Sequence, residues 1–408
     1  MRSVNRKTAV GAILVLLLAS CSSNESGPQT RTVRVDYLHD EFPTAIFEYF
    51  PRALTVRQGD TVSFQQDWTG DAHTVTMGTL VDKMMALASP LVERLRKGDE
   101  VKEEEYAAVD ESPEMKALPF FFGQGGVAQN AAQPCYLNSG NPPTEADQTC
   151  PKTKKPEFNG RQSFFNSGFI PYEGVGKNEF KVKFAGDTKP GSYFYYCNLH
   201  GPAMSGKVTV KPKGASIPSQ AVVNRQAIEL IDKQMKPIKS VVSTYNSKGK
   251  VDKDGRTITG NIAGVYPGEQ VVFGGANAFL PKAIEAEVGE TVTWTFDGRH
   301  SVSFDVPPYF PIYSVKRDGQ VSINPKIEEP AGGSPPLPEE PDGPPAEGAP
   351  PPKPLEIDGG TWDGNGYFSS GLFHGEGDAT YSVRIGKPGK YNYACVIHPA
   401  MVGTIVVK

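Results

Sequence analysis

Histidine and cysteine are scarce in this 408-residue chain, with six and five copies respectively. Any metal chemistry must therefore draw on a short list of ligands. Long apolar runs are scarcer still. Outside residues 9–20 no stretch approaches 18 apolar residues, so the sequence holds no candidate membrane-spanning helix. There is no basic block either. Net charge is −4, and it becomes −7 when Arg2, Arg6 and Lys7 are set aside with residues 1–20. A mildly acidic chain of this kind is a poor nucleic-acid binder. What is abundant is glycine (43) and proline (36), which points to turn-rich β structure or a low-complexity segment. The length suggests two or three domains.

Met1 to Lys7 is basic, and Ala9 to Ser20 is a run of apolar and small residues. Twelve residues are too few for a permanent span but suit the core of a signal peptide. The run ends Leu18-Ala19-Ser20-Cys21, which resembles a bacterial lipoprotein lipobox. That resemblance implies a signal peptide at 1–20, a lipid on Cys21 and a polar tether over 21–32. The alternative is an ordinary secretory signal in which Cys21 is incidental. The expected location is the extracytoplasmic face of the cell membrane or the periplasm, with contact to the membrane through the lipid.

The chain repeats itself. Phe50-Pro51-Arg52-Ala53-Leu54-Thr55-Val56-Arg57-Gln58-Gly59-Asp60-Thr61-Val62-Ser63-Phe64 returns as Leu280-Pro281-Lys282-Ala283-Ile284-Glu285-Ala286-Glu287-Val288-Gly289-Glu290-Thr291-Val292-Thr293-Trp294. Each copy alternates apolar and polar residues on both sides of a glycine, the pattern of half-buried strands joined by a tight turn. Lys189-Pro190-Gly191 through Cys197 likewise returns as Lys387-Pro388-Gly389 through Cys395. Repeats so far apart are duplicated domains. The expected layout is a mainly β chain with one domain over 33–212, a linker over 213–256 and a second domain over 257–408.

Residues 78–160 interrupt the first domain. Leu80, Met84, Leu87, Leu91 and Leu95 there have helical spacing. Cys135 and Cys150 lie in the same insertion with no histidine nearby. In an oxidising compartment they read as a disulfide, against two free thiols, and closing that loop is worth roughly 3 kcal/mol. In the linker, Val223, Ala227, Ile228, Ile231 and Met235 outline an amphipathic helix after Ser219. Residues 325–354 interrupt the second domain with 12 prolines, too many for a packed core, so an extended solvated loop is expected.

One cysteine then remains in each domain, at the same place. Cys197-Asn198-Leu199-His200 is followed by Met204, and Cys395-Val396-Ile397-His398 by Met401. Each domain also has an upstream histidine at a strand start, in His73-Thr74-Val75 and His300-Ser301-Val302. Two imidazoles and a thiolate in a plane, with a long axial thioether, form an electron-transfer copper site. A zinc site would not favour the methionine.

These motifs resemble the cupredoxins, the blue copper proteins that include plastocyanin, amicyanin and azurin. The Cys395 to Met401 loop has amicyanin spacing, and the Cys197 to Met204 loop is one residue longer. Phe165-Asn166-Ser167-Gly168 and Phe368-Ser369-Ser370-Gly371 also fit the family. The resemblance implies two Greek-key β-sandwich domains, with copper held by His73, Cys197, His200 and Met204 and by His300, Cys395, His398 and Met401. It implies an electron carrier with redox-protein donors and acceptors, and no enzyme activity. His39 and His374 read as surface or loop residues. Copper oxidases and nitrite reductases need extra histidine clusters, as His-x-His or adjacent His-Cys pairs, and the chain has neither. Copper storage or delivery to a respiratory enzyme is the alternative function, and an interaction module with one vestigial site is a third.

Overall fold

The computed structural model describes residues 27–119, 122–123, 126–127, 129–145, 148–170, 178–246, 251–253, 256–265, 273–308, 310–315, 320–337 and 355–408. Cys21, the segment expected to be a signal peptide and most of the proline-rich stretch lie outside these residues. The chain is mainly β, built as two sandwiches, each with two sheets.

In the first sandwich, Thr30–Val35 lies parallel to Thr61–Gln66, flanked by Glu179–Lys183 and Tyr49–Phe50. The facing sheet runs in the order Ala53–Arg57, Gly201–Lys211, Gly191–Cys197, Thr76–Met77, Phe164–Ser167, Pro134–Leu137. Val33, Val35, Val56, Val62, Phe64, Tyr195 and Val208 fill the space between the sheets. The second sandwich repeats the plan, with Arg256–Val265 parallel to Thr291–His300 and Ala283–Ala286 parallel to Val402–Val407. Its core centres on Trp294, Phe304, Tyr393 and Ile405. The turn glycines of the repeat, Gly59 and Gly289, have φ of 87° and 78°, where a side chain is strained.

The insertion in the first domain forms a long helix, Thr79–Lys97, and supplies the edge strand Pro134–Leu137. Its buried face is Val81, Met84, Met85, Ala88 and Val92, and Leu87 is exposed. The expected stripe is therefore rotated by one position, because the helix packs on the strand Gly191–Cys197, where Asp82 caps the Phe194 N–H at 2.8 Å. Cys135 and Cys150 form a disulfide.

The segment expected to be a linker is part of a third core. The helix Gln220–Asn246 buries Val223, Ile231, Met235, Ile238 and Val242. Ile228, expected on that face, points outward and is 56% exposed. Ile231, Met235, Ile238 and Val242 pack with Ile46 and Phe50 of the first domain and Val265, Ala276 and Leu280 of the second. Burying each such side chain is worth about 1.5–3 kcal/mol. The strand Thr44–Ile46 also crosses over to pair with Gly274–Leu280, joining the second domain's sheet. Of the stretch expected to be solvated, 325–337 is docked: Ile327 is buried, Ala331 pairs with Ser369 and the Ser334 hydroxyl lies 2.9 Å from that of Tyr381.

Candidate metal centres

Among the described residues, two groups of His and Cys bring their donor atoms within 4.8 Å of one another: His73, Cys197 and His200, and His300, Cys395 and His398. The fold assembles each group in the same way. A strand ends at Cys197 in the first domain and one residue before Cys395 in the second, and the loop after it returns the second histidine. The first histidine arrives from the segment that starts the neighbouring strand.

At the second centre, His300 Nδ1 and His398 Nδ1 are 3.1 Å apart, and each faces Cys395 Sγ, at 4.0 and 3.5 Å. Bonds of about 2.0 Å to nitrogen and 2.3 Å to sulfur, at trigonal angles, require edges of about 3.5 and 3.7 Å. The triangle thus matches a first-row ion at its centre. At the first centre, Cys197 Sγ is 3.5 Å from His200 Nδ1, while His73 Nδ1 is buried with no hydrogen-bond partner. An orphaned imidazole nitrogen beside a thiolate is a donor waiting for a cation. Met204 and Met401 are fully buried in the same clusters as their cysteines. This soft and borderline donor set fits copper.

Electrostatics agree. Burial alone would raise both thiols, but the imidazoles of His200 and His73, and of His398 and His300, hold them well below the usual range. That direction favours the thiolate, the form that binds metal.

A duplicated polar frame fixes each thiolate. The Thr74 and Ser301 amides each donate to the cysteine sulfur at 3.4 Å. The hydroxyls of the same residues accept from the amide after each cysteine, Asn198 at 2.8 Å and Val396 at 3.0 Å. Ser167 and Ser370 accept from Val75 N and Val302 N at 2.7 and 2.9 Å. The shared Phe-x-Ser-Gly pieces thus brace the strands that carry His73 and His300.

No protein-family model matches the chain, and no curated protein matches it. It is similar to the solved plastocyanin of Dryopteris crassirhizoma, at 18% identity over 37% of this chain and all of that one, with a TM-score of 0.19. An amicyanin from Paracoccus versutus is 15% identical over 39% of this chain and 85% of its own, with a TM-score of 0.18. A purple cupredoxin from Nitrosopumilus maritimus is 18% identical over 37% and 99%, with a TM-score of 0.17. At these scores the likenesses carry no weight for function, and the metal centres rest on their own geometry.

The two centres differ in what lies behind the first histidine. His73 Nε2 meets Asp36 Oδ2 at 2.9 Å, with both side chains out of solvent. Asp36 follows Val35, which pairs with Gln66. In the second domain Ala263 pairs with Phe296, and the residue that follows is Gly264. A Cβ on Gly264 would lie 2.1 Å from His300 Nε2. Burial works against a charge on both histidines. At His73, Asp36 and Cys197 overcome it and raise the pKa to about 10, whereas at His300 burial prevails and the pKa falls below the usual value.

The first centre also has an outer brace. Arg96, on the inserted helix, donates to the carbonyls of Ala203 and Ser205 at 3.1 and 3.0 Å, on either side of Met204. Its guanidinium faces the buried Glu48 at 3.5 Å, which also pairs with Arg52. His39 stacks on Phe42 far from either group, and the side chain of His374 lies outside the described residues.

Proposed function

We propose that the chain binds one copper ion in each domain and carries single electrons between redox partners outside the cytoplasm, tethered to a membrane by lipid on Cys21. The observation that carries this reading is the His300, Cys395 and His398 triangle, repeated at His73, Cys197 and His200. Copper supplies a one-electron couple between its cuprous and cupric states. The protein's part is to hold the donors still. Amides and hydroxyls on both sides of each thiolate fix the sulfur, and the sandwich core immobilises both imidazole-bearing segments, so little rearrangement accompanies a change of charge.

Copper delivery would call for ligands that open, and five of the six histidine and cysteine donors are buried, which argues for retention instead. Metal analysis and the visible spectrum of the chain without residues 1–20 test the reading. About two coppers per chain are expected, with a thiolate-to-copper band that each of Cys197→Ser and Cys395→Ser removes in part and the double variant removes entirely. Single variants with undiminished colour would overturn it. Reversible cycling with copper retained separates transfer from delivery.

A further inference from the structure

The two centres do not face away from one another. His200 and His398, the loop histidines of the first and second centres, line one cavity of about 380 Å³ between the domains, together with Phe47, Leu199, Tyr313 and Ile397. The loops touch at the rim. Gly70 has φ of 110°, and a Cβ there would lie 2.2 Å from the Ile397 carbonyl oxygen, so only glycine allows this approach. The next residue, Asp71, extends its carboxylate across the seam. Its Oδ2 lies 3.7 Å from His398 Nε2, the ring nitrogen opposite the one that faces Cys395. That oxygen is buried and receives no hydrogen bond. Asp71 is also only two residues before His73 in the chain.

We propose that Asp71 is the junction through which the two centres exchange an electron within one chain. This rests on the reading of both centres as copper sites. The route runs from His73 through the backbone of Ala72 to Asp71, then across a single gap to His398. Every other segment of it is covalent, and electron tunnelling is faster along bonds than across gaps. In the step, copper at the first centre is oxidised from cuprous to cupric and copper at the second is reduced from cupric to cuprous. No atom or proton changes place. The direction follows from the difference behind the first histidines. A buried carboxylate in hydrogen-bond contact with His73 favours the more positive ion at the first centre. Asp71 acts on His398 from a longer distance and is partly exposed, and the position that matches Asp36 in the second domain is Gly264, which carries no carboxylate.

The test uses the full, copper-loaded chain and a light-generated one-electron reductant supplied below one equivalent per chain. Freeze-quench electron paramagnetic resonance then follows the cupric signal of each centre, assigned with Cys197→Ser and Cys395→Ser. The initial distribution is expected to relax toward a reduced second centre at a rate independent of protein concentration. Asp71→Ala should slow that relaxation tenfold or more while leaving the visible bands of both centres in place. Asp71→Asn, which keeps the length of the side chain, should retain most of the rate and guards against a folding defect in the alanine variant. A rate proportional to protein concentration, or one unchanged in Asp71→Ala, would overturn the junction. Relaxation toward the first centre would overturn the direction. A chain that takes up no copper would overturn the reading of the sites themselves, whereas intact blue centres without exchange would overturn this inference alone.

Discussion

Asp36 and His73 make a buried carboxylate–imidazole contact of 2.9 Å, and in the second domain Gly264 stands in the position that matches Asp36. The backbone allows this. Asp36 has φ of 64° and Gly264 of 96°, and aspartate and asparagine are among the few side chains that tolerate this region. Asp36 is itself held by the Ile46 amide at 2.6 Å and the Thr69 hydroxyl at 2.6 Å, so it cannot swing away from the ring.

Asp36→Asn keeps the shape and the backbone conformation but removes the negative charge behind His73. The reduction potential of the first centre should rise by about 60–130 mV, equivalent to the 1.5–3 kcal/mol of a hydrogen bond to a charged group. Redox titration in a Cys395→Ser background isolates that centre. An unshifted potential would show that the carboxylate does not tune it.

Asp82 offers a test of stability against pH. Burial against the strand Gly191–Cys197 raises its pKa to about 6, only partly offset by the Phe194 amide. A carboxyl whose folded pKa exceeds its unfolded value stabilises fully below the unfolded value, near 3.8, and loses that contribution as pH rises through about 6. Asp82→Asn stays neutral throughout and still accepts the amide. It should stabilise the chain by about 1–3 kcal/mol at pH 7.5 and have little effect below pH 4, as read from denaturant midpoints at the two pH values. Equal effects at both would rule out ionisation as the cause.

Arg96→Met fills the same space without the guanidinium. It removes two bonds to the carbonyls around Met204 and one partner of the buried Glu48. A loss of about 3 kcal/mol in stability is expected, the lower end for breaking a buried pair because Arg52 remains. The spectrum of the first centre should shift and that of the second should not. A shift in both would mean that the helix acts on the whole fold rather than on the methionine loop.

Cys21→Ser should release the protein from the membrane fraction, because no helix among the described residues is long and apolar enough to cross a bilayer. Fractionation of cells that express each form decides it. Full retention of the serine variant would remove the lipid anchor from the reading.

The donor residues were legible in the sequence because each cysteine, loop histidine and methionine falls within eight residues, and the repeat supplies a second copy of the pattern. The hydroxyl frame was half visible, since Thr74 and Ser301 directly follow the first histidines. Asp36 was hidden because it meets His73 across 37 residues, through a turn that only the sheet register places. Asp71 was hidden more deeply, as its partner His398 belongs to the other domain. The helix faces misread at Leu87 and Ile228 have the same origin: spacing announces a helix, but only the surface it packs on decides which side is inside.

The strand Thr44–Ile46, spent on the other domain's sheet, makes the two halves depend on one another. Expressed alone, residues 257–408 would leave Gly274–Leu280 as a raw edge of small and apolar residues, inviting strand-to-strand association with other copies. Residues 33–212 alone would leave Ile46 and Phe50 without the helix that covers them. Each half thus carries a part that only the other can use, so neither is self-sufficient as a folded unit.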